Sequence, residues 1–380
     1  MAAALAACEA PPAPPVGEPG TPLEGLSPAQ LEGFVEGQRL FNRDFGPEQG
    51  LGPLFNDRRC SSCHDLPSSG GSSADLIRKA TRWAGGRCDL LEREGGDNIQ
   101  QRAVEALRDA GVTQEQIPAS ATHVADVNAP ALYGLGLIEA IPEATLHDLA
   151  DPDDTDGDGI SGRIGRSSAG QPARFGQKAD ASTLREFIAG ALLQEMGLTS
   201  GPHPEELTIN GRTAPPDVDM ADDPEIDDRV LDAIVDYVRF LAPVRPAEPT
   251  DAADSSRVAR GLGVFHEIGC ASCHVPILET GPDPDPVFDR TRVLLYSDLL
   301  LHDMGEDLAD ICGPGAAPWE WRTARLNGLR FRPMLLHNAR GSHIDRVIEL
   351  HGGEAAESRS LFRRLSPDTR TALLRFLETL

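Results

Sequence analysis

The chain has 380 residues, 40% of them hydrophobic, which is long for one domain and ample for two packed cores. Its 60 Asp and Glu outweigh 35 Lys and Arg, a formal charge of −25, and this balance excludes nucleic acid and an anionic membrane surface as partners by repulsion. A basic redox partner is compatible with that charge, and a solubilising surface accounts for it equally well.

Leu5-Ala6-Ala7-Cys8 has the form of a bacterial lipoprotein cleavage box, with no basic residue and too short an apolar stretch before it for a full signal. Residues 1–26 are expected to be a truncated lipoprotein signal and a flexible linker, with Cys8 as lipid anchor of a periplasmic, outer-membrane-tethered protein. Within them, 9–22 is rich in Pro, Gly and Glu and reads as an unstructured spacer. No other segment approaches the apolar length of a membrane span. Ser27-Pro28 then supplies an N-cap and a first-turn proline, and Leu31, Phe34, Val35, Leu40 and Phe41 continue as a helix.

Next comes Cys60-Ser61-Ser62-Cys63-His64, a C-x-x-C-H run that recurs as Cys270-Ala271-Ser272-Cys273-His274. Two thiols at this spacing can reach the two vinyl groups of one porphyrin, and the histidine that follows is held where it can ligate the iron. A single C-x-x-C also suits a thioredoxin-type redox pair or half a zinc site. The His after both pairs and the lack of a βαβ pattern favour two covalently bound haem c groups. Cys88 and Cys312 are left over, either as a disulfide in an oxidising compartment or as two free thiols.

The acidic stretch from Asp154 to Gly159 places aspartates at alternate positions and Gly at the sixth, as a calcium loop begins. Its twelfth position is Gly165 instead of Glu, so Ca2+ on Asp154, Asp156 and Asp158 competes with a solvated turn. Ile226, Val230, Ile234, Val238 and Leu241 mark an amphipathic helix ended by Pro243, and a linker is expected over 243–254. The second half repeats this grammar. Residues 258–265 mirror 34–41, 324–329 echo 130–135, and Ser366-Pro367-Asp368 caps a last apolar helix. The expected fold is mainly α: two cytochrome c-like haem domains in tandem with long loops, 27–245 (with insertions) and 246–380.

With these motifs in place the chain resembles the di-haem oxidoreductase family, relatives of bacterial di-haem cytochrome c peroxidases. The resemblance runs over 33–380 and rests on 50–64, APALYGLGLIEAIP (129–142), DPDDTDGDGISGR (151–163), RFGQKA (174–179), YSDLLLHDMG (296–305), EWRT (320–323) and HGGEA (351–355). It implies that the N-terminal haem meets hydrogen peroxide at an open iron position. The C-terminal haem is then six-coordinate and receives electrons from a small donor protein of cytochrome c or cupredoxin type. The relatives set a distal Met or Tyr fourteen residues after a His-Asp-Gly motif. Here His337-Asn338-Ala339 takes that place and fourteen on is His351, the expected sixth ligand, with His302, Met304, Met334 and His343 as rivals. A His in place of Met lowers the reduction potential.

No His lies between His64 and His123, and Ala80 stands where relatives carry a distal His. The first haem is therefore read as open, unless His123, His147 or Met196 reaches it. Glu139, alone in an apolar run, is the candidate for moving a proton between the peroxide oxygens, against a Glu facing water or paired with Arg. Arg174 and Arg322 are expected on haem propionates, and Trp83, Trp319 and Trp321 either relay electrons or pack. The leading expectation is an exported di-haem c-type peroxidase passing electrons from the C-terminal haem to the N-terminal one. The alternative is a non-catalytic di-haem electron-transfer protein. A thiol–disulfide enzyme is disfavoured because haem attachment consumes both C-x-x-C pairs.

Overall fold

In the computed structural model, which describes residues 12–215 and 217–380, Ser27 caps as its position predicts. Its hydroxyl accepts from Gln30 N, while the Gln30 side chain accepts from Ser27 N at 2.8 Å. This capping box opens the helix Pro28–Phe41. The helix buries Phe34, Leu40 and Phe41 and crosses the helix Asp228–Phe240 at Gly37. There a Cβ would stand 1.9 Å from the Ala233 carbonyl oxygen, so only glycine lets the two backbones meet. The second half repeats the crossing. Helix Ala252–Glu267 meets Pro367–Leu377 at Gly261, whose Cβ would stand 2.1 Å from the Ala372 carbonyl oxygen. The sequence repeat is thus a repeat of packing, and each cysteine motif makes a short 3-10 turn, Cys60–Ser62 or Cys270–Ser272, the second directly after its helix and the first beyond the segment 42–59.

The mainly α expectation needs correction: 33% of the described residues are helical and 16% are strand. The largest sheet comes from residues between the first cysteine motif and 129. Strand Leu76–Ala84 pairs antiparallel with Arg87–Asp89, Asn98–Ile99 and His123–Asn128, in register from Leu76 opposite Asn128 to Thr81 opposite His123. Gly85 and Gly86, at φ 58° and 74°, make the tight left-handed turn that matches strand twist in a two-residue hairpin. Gly-Gly between two strand-length runs is itself a hairpin signal.

The described part of the 9–22 spacer also departs from free chain. Gly17 and Leu23 donate to the Pro243 and Phe240 carbonyls at 2.8 Å each, and Ala242 donates back to Thr21 at 3.0 Å. The Cys8 anchor lies outside the described residues. The expected linker after Pro243 is docked as well, since Asn327 bonds both the amide and the carbonyl of Val244 at 2.8 and 2.7 Å.

One core gathers Phe34, Phe41, Leu137, Ile188, Leu231 and Tyr237 from the first half, and it also takes Leu278, Val293, Leu295, Leu299 and Leu300 from the second. A smaller core holds Phe265, Tyr296, Phe362, Leu373 and Phe376. Cys88 and Cys312 are joined by a disulfide with Cα atoms 5.7 Å apart. Segments after the second cysteine motif therefore lie against the first half, and a cleft opens where the halves meet. Among the described residues no helix is long and apolar enough to cross a membrane.

Candidate haem sites

The cleft encloses about 1850 Å³ of empty space, part of it open to solvent. Cys270, Cys273 and His274 form one wall, His351 lines it as well, and Ser72, Asn128 and Pro130 reach in from the first half. The four motif cysteines are not bonded to one another. Burial pushes the Cys60, Cys63 and Cys270 thiols up to about 12 and raises Cys273 too. A thiol that resists ionisation is a poor thiol–disulfide exchanger, so burial works against a redox-dithiol role for either pair.

The three expected iron ligands share one posture. His64 Nδ1 lies 3.0 Å from the Gly71 carbonyl oxygen, His274 Nδ1 3.0 Å from that of Tyr296, and His351 Nδ1 2.8 Å from that of Val347. A carbonyl can only accept, so each Nδ1 carries the proton; His274 and His351 thereby keep a lone pair on Nε2, while the His64 ring has the Pro130 backbone as a second polar neighbour. Burial also lowers the pKa of His64 and His351, and burial followed by the nearby His351 brings His274 down to about 4. Neutral imidazoles with a free Nε2 are what a metal requires.

Two rivals are placed otherwise. His302 has Nε2 2.8 Å from Asp298 Oδ2 and Nδ1 2.6 Å from Glu354 Oε2. Burial opposes its charge, but Asp298, Cys273 and Glu354 outweigh it and push the ring up to about 12. With both nitrogens protonated it has no lone pair for iron. His343 Nδ1 meets Ser342 Oγ at 3.0 Å and does not line the cleft, whereas Met304 and Met334 do. The missing carboxylate of the His-Asp-Gly motif is restored from another segment. His337 Nε2 and Asn338 Nδ2 lie 2.7 and 2.8 Å from the same Asp310 oxygen.

Arg322 lines the cleft, joined by two arginines that local sequence does not mark, Arg325 and Arg332. Arg322 donates to the Gly176 carbonyl at 2.8 Å, Arg325 to those of Ala131 and Tyr133, and Arg332 to that of Arg325. The Nε of Arg332 is buried without a partner. Burial brings Arg322 and Arg332 down to about 10 and Arg325 well below its ordinary value, with mutual repulsion adding to the last two. Three crowded guanidiniums with an orphaned donor fit the carboxylates of haem propionates. The only sequence signal was the repeat itself, in which Arg325 occupies the position of Ala131, the residue it bonds.

Arg174 and Glu139 do not line this cleft. Arg174 donates to the carbonyls of Ile138 and Ile141, closing the end of the helix Leu135–Glu139. Glu139 Oε1 accepts from Leu184 N at 2.7 Å, and Oε2 accepts from Arg239 at 3.1 and 3.2 Å. In this conformation Glu139 is the Arg-paired carboxylate and Arg174 a helix cap. Beside Cys63, sequence reasoning missed Glu195, a carboxylate raised by burial that accepts from Asn56 and Asn98 at 2.7 and 2.8 Å. His147 is 60% exposed and pairs with Glu143, and His123 Nδ1 meets Thr122 Oγ1 at 2.9 Å. Met196 is 3% exposed within the larger core.

Trp321 lines the cleft with its ring 3.5 Å from that of His337 and Lys178 Nζ 3.4 Å from its centroid, while Trp83 and Trp319 meet edge-on at 5.8 Å outside it. In the acidic loop the convergent carboxylates are Asp151, Asp154 and Asp156, with oxygens within 4.8 Å of one another. Asp158, the third member of the expected trio, lies outside this group and accepts from Ile160 N at 2.8 Å.

A cleft that offers lone pairs to a metal and guanidiniums to carboxylates belongs to a haem protein of the oxidoreductase class. The profile of the family described as "Di-haem oxidoreductase, putative peroxidase" matches residues 105–380, and the chain belongs to that family. The match begins after 60–64, so the first cysteine motif lies outside it. No curated protein matches the chain. Among solved structures, hydrazine synthase of Kuenenia stuttgartiensis is similar at 15% identity over 100% of both chains, TM-score 0.43. The diheme peroxidase BthA of Burkholderia thailandensis is similar at 16% identity, covering 93% of this chain and 86% of its own, TM-score 0.42. A MauG-like protein associated with microbial copper homeostasis is similar at 14% identity, over 96% and 92%, TM-score 0.39. Likeness at this level extends no activity to the chain.

Proposed function

We propose that the protein is an exported di-haem c-type oxidoreductase that reduces hydrogen peroxide with electrons from a small donor protein. Bound haem iron would supply the redox chemistry, in which two electrons, passed from the C-terminal haem to the N-terminal one, and two protons convert one peroxide to two waters. Cys270 and Cys273 would anchor one porphyrin and Cys60 and Cys63 the other, through thioethers. His274 and His351 would both ligate the C-terminal iron, and Arg322, Arg325 and Arg332 would hold propionates there. His64 would ligate the N-terminal iron, where the peroxide would react.

The observation that carries this reading is the asymmetry between the sites. His351 shares a cleft and a free Nε2 with His274, while His147 and His123 are engaged elsewhere. Export is supported by the Cys88–Cys312 bond, of a kind that persists in oxidising compartments. A periplasmic location tethered through Cys8 belongs to the same proposal, as does Ca2+ on the convergent carboxylates of Asp151, Asp154 and Asp156.

The test is peroxide-dependent oxidation of a reduced c-type cytochrome by protein loaded with both haems, alongside its ferric EPR spectrum. Turnover above that of free haem, with one high-spin and one low-spin signal, is expected. Absence of turnover refutes the peroxidase reading, and two low-spin signals without turnover assign a non-catalytic electron carrier instead.

A further inference from the structure

His302 is 3% exposed and stands between two carboxylates from different segments, Glu354 of the cleft wall and Asp298 behind it. Asp298, on its Nε2 side, donates its own amide to the Cys273 carbonyl at 2.9 Å, so it is fastened to the haem-attachment turn. Glu354, on its Nδ1 side, follows His351 by three residues. Glu354 also accepts from Asp303 N at 3.1 Å and from Ser161 N and Oγ at 3.0 and 2.8 Å. The intervening turn presses on the strand that carries His302. A Cβ on Gly353 would stand 2.0 Å from the Asp303 carbonyl oxygen, and one on Gly352 2.8 Å from that of Met304.

The helix leading into His351, Ile344–Leu350, buries none of its residues fully. Its apolar side chains Ile344, Val347 and Ile348 only flank the smaller core. Packing alone therefore fixes the distal ligand weakly, and the firm attachments lie just beyond it, at Glu354. Three charges packed together out of water hold firmly only while all are present. Taking one away leaves a buried carboxylate unpaired, which moves or hydrates to escape.

We propose that His302 is the positioning residue of the distal ligand, clamping Glu354 to Asp298 so that His351 is held over the same site as His274. This rests on the bis-histidine reading of the C-terminal haem. Without the clamp, Asp298 and Glu354 face each other as like charges, the 352–354 turn swings outward, and His351 leaves with it.

The test uses ferric and ferrous holoprotein carrying both haems, as wild type, His302→Gln, Glu354→Gln and His351→Ala, read by EPR and by carbon monoxide uptake. Wild type is expected to show a low-spin C-terminal haem that His351→Ala abolishes. His302→Gln and Glu354→Gln are expected to lose that signal in the same way, gain a high-spin one, and take up one further carbon monoxide per chain when reduced. A low-spin signal and carbon monoxide stoichiometry unchanged in both variants overturn the clamp. A wild-type C-terminal haem that is already high-spin, or a His351→Ala variant that stays low-spin, overturns the bis-histidine reading and the clamp with it. Should the charge-altering variants fail to load haem, Ser161→Ala removes one donor to Glu354 while keeping all three charges. Partial appearance of the high-spin signal is then expected, and an unchanged spectrum overturns the clamp.

Discussion

Replacing Gly261 by Ala tests whether the close helix crossing is what holds the helices of the second half together. The new Cβ would fall 2.1 Å from the Ala372 carbonyl oxygen and 2.6 Å from Phe376 Cβ. Neither atom is the free end of a flexible side chain, so the helices Ala252–Glu267 and Pro367–Leu377 must separate. Helix propensity alone favours Ala over Gly by about 1 kcal/mol. Overpacking a tight core costs ~1–3 kcal/mol, and a backbone carbonyl that cannot yield puts this site at the upper end, leaving a net loss of about 2 kcal/mol. Gly263, on the same helix, is exposed and has nothing within 4 Å of its added Cβ, so Gly263→Ala should gain up to about 1 kcal/mol. Urea midpoints of the haem-loaded proteins, with unchanged slope, measure both. Gly37→Ala should behave as Gly261→Ala does, since its Cβ would meet the Ala233 carbonyl oxygen at 1.9 Å. If Gly261→Ala and Gly263→Ala shift the midpoint equally, the close crossing is not what constrains the glycine and the reasoning fails.

The Cys88–Cys312 bond closes a loop of sequence separation 224, for which chain entropy gives a stabilisation of about 5 kcal/mol. The Cys88→Ser, Cys312→Ser double variant should unfold at markedly lower urea than the oxidised parent and at the same urea as the reduced parent. Equal midpoints for oxidised parent and variant would remove the bond from the stability of the fold. Glu206 stands among Asp219, Asp223 and Glu225, and burial, then its acidic neighbours, hold it up to about 9 from 4.5. The folded state keeps a proton there that the unfolded chain releases. Stability is therefore greatest below pH 4.5 on this account and declines as pH rises toward about 9. Glu206→Gln should flatten that decline, and a variant midpoint that falls with pH as steeply as wild type excludes Glu206 as its source.

The helix caps at Ser27 and Ser366 and the two C-x-x-C-H turns were readable because each acts through neighbours a few residues away. The glycines at Gly37 and Gly261 showed only as part of the internal repeat, their partners Ala233 and Ala372 lying far along the chain. The expectation of His351 as sixth ligand came from the family resemblance, which supplied the spacing to count from His337. The hairpin at Gly85-Gly86 was equally local, and it was missed because a haem domain read as helical left no place for a sheet. Other features were beyond a linear reading. Whether Cys88 bonds Cys312, whether Glu139 faces water or Arg239, and which arginines crowd Arg322 depend on segments brought together from far apart in sequence. His302 shows the division most clearly. By type it was a fair rival to His351 for the iron, and what separates them is that one ring nitrogen of His351 meets a carbonyl while both of His302 meet carboxylates. Residue types and spacings determine which groups are available to bind haem. The fold decides which lone pairs are left to do so, because protonation and hydrogen bonding are set by whatever packs against each ring.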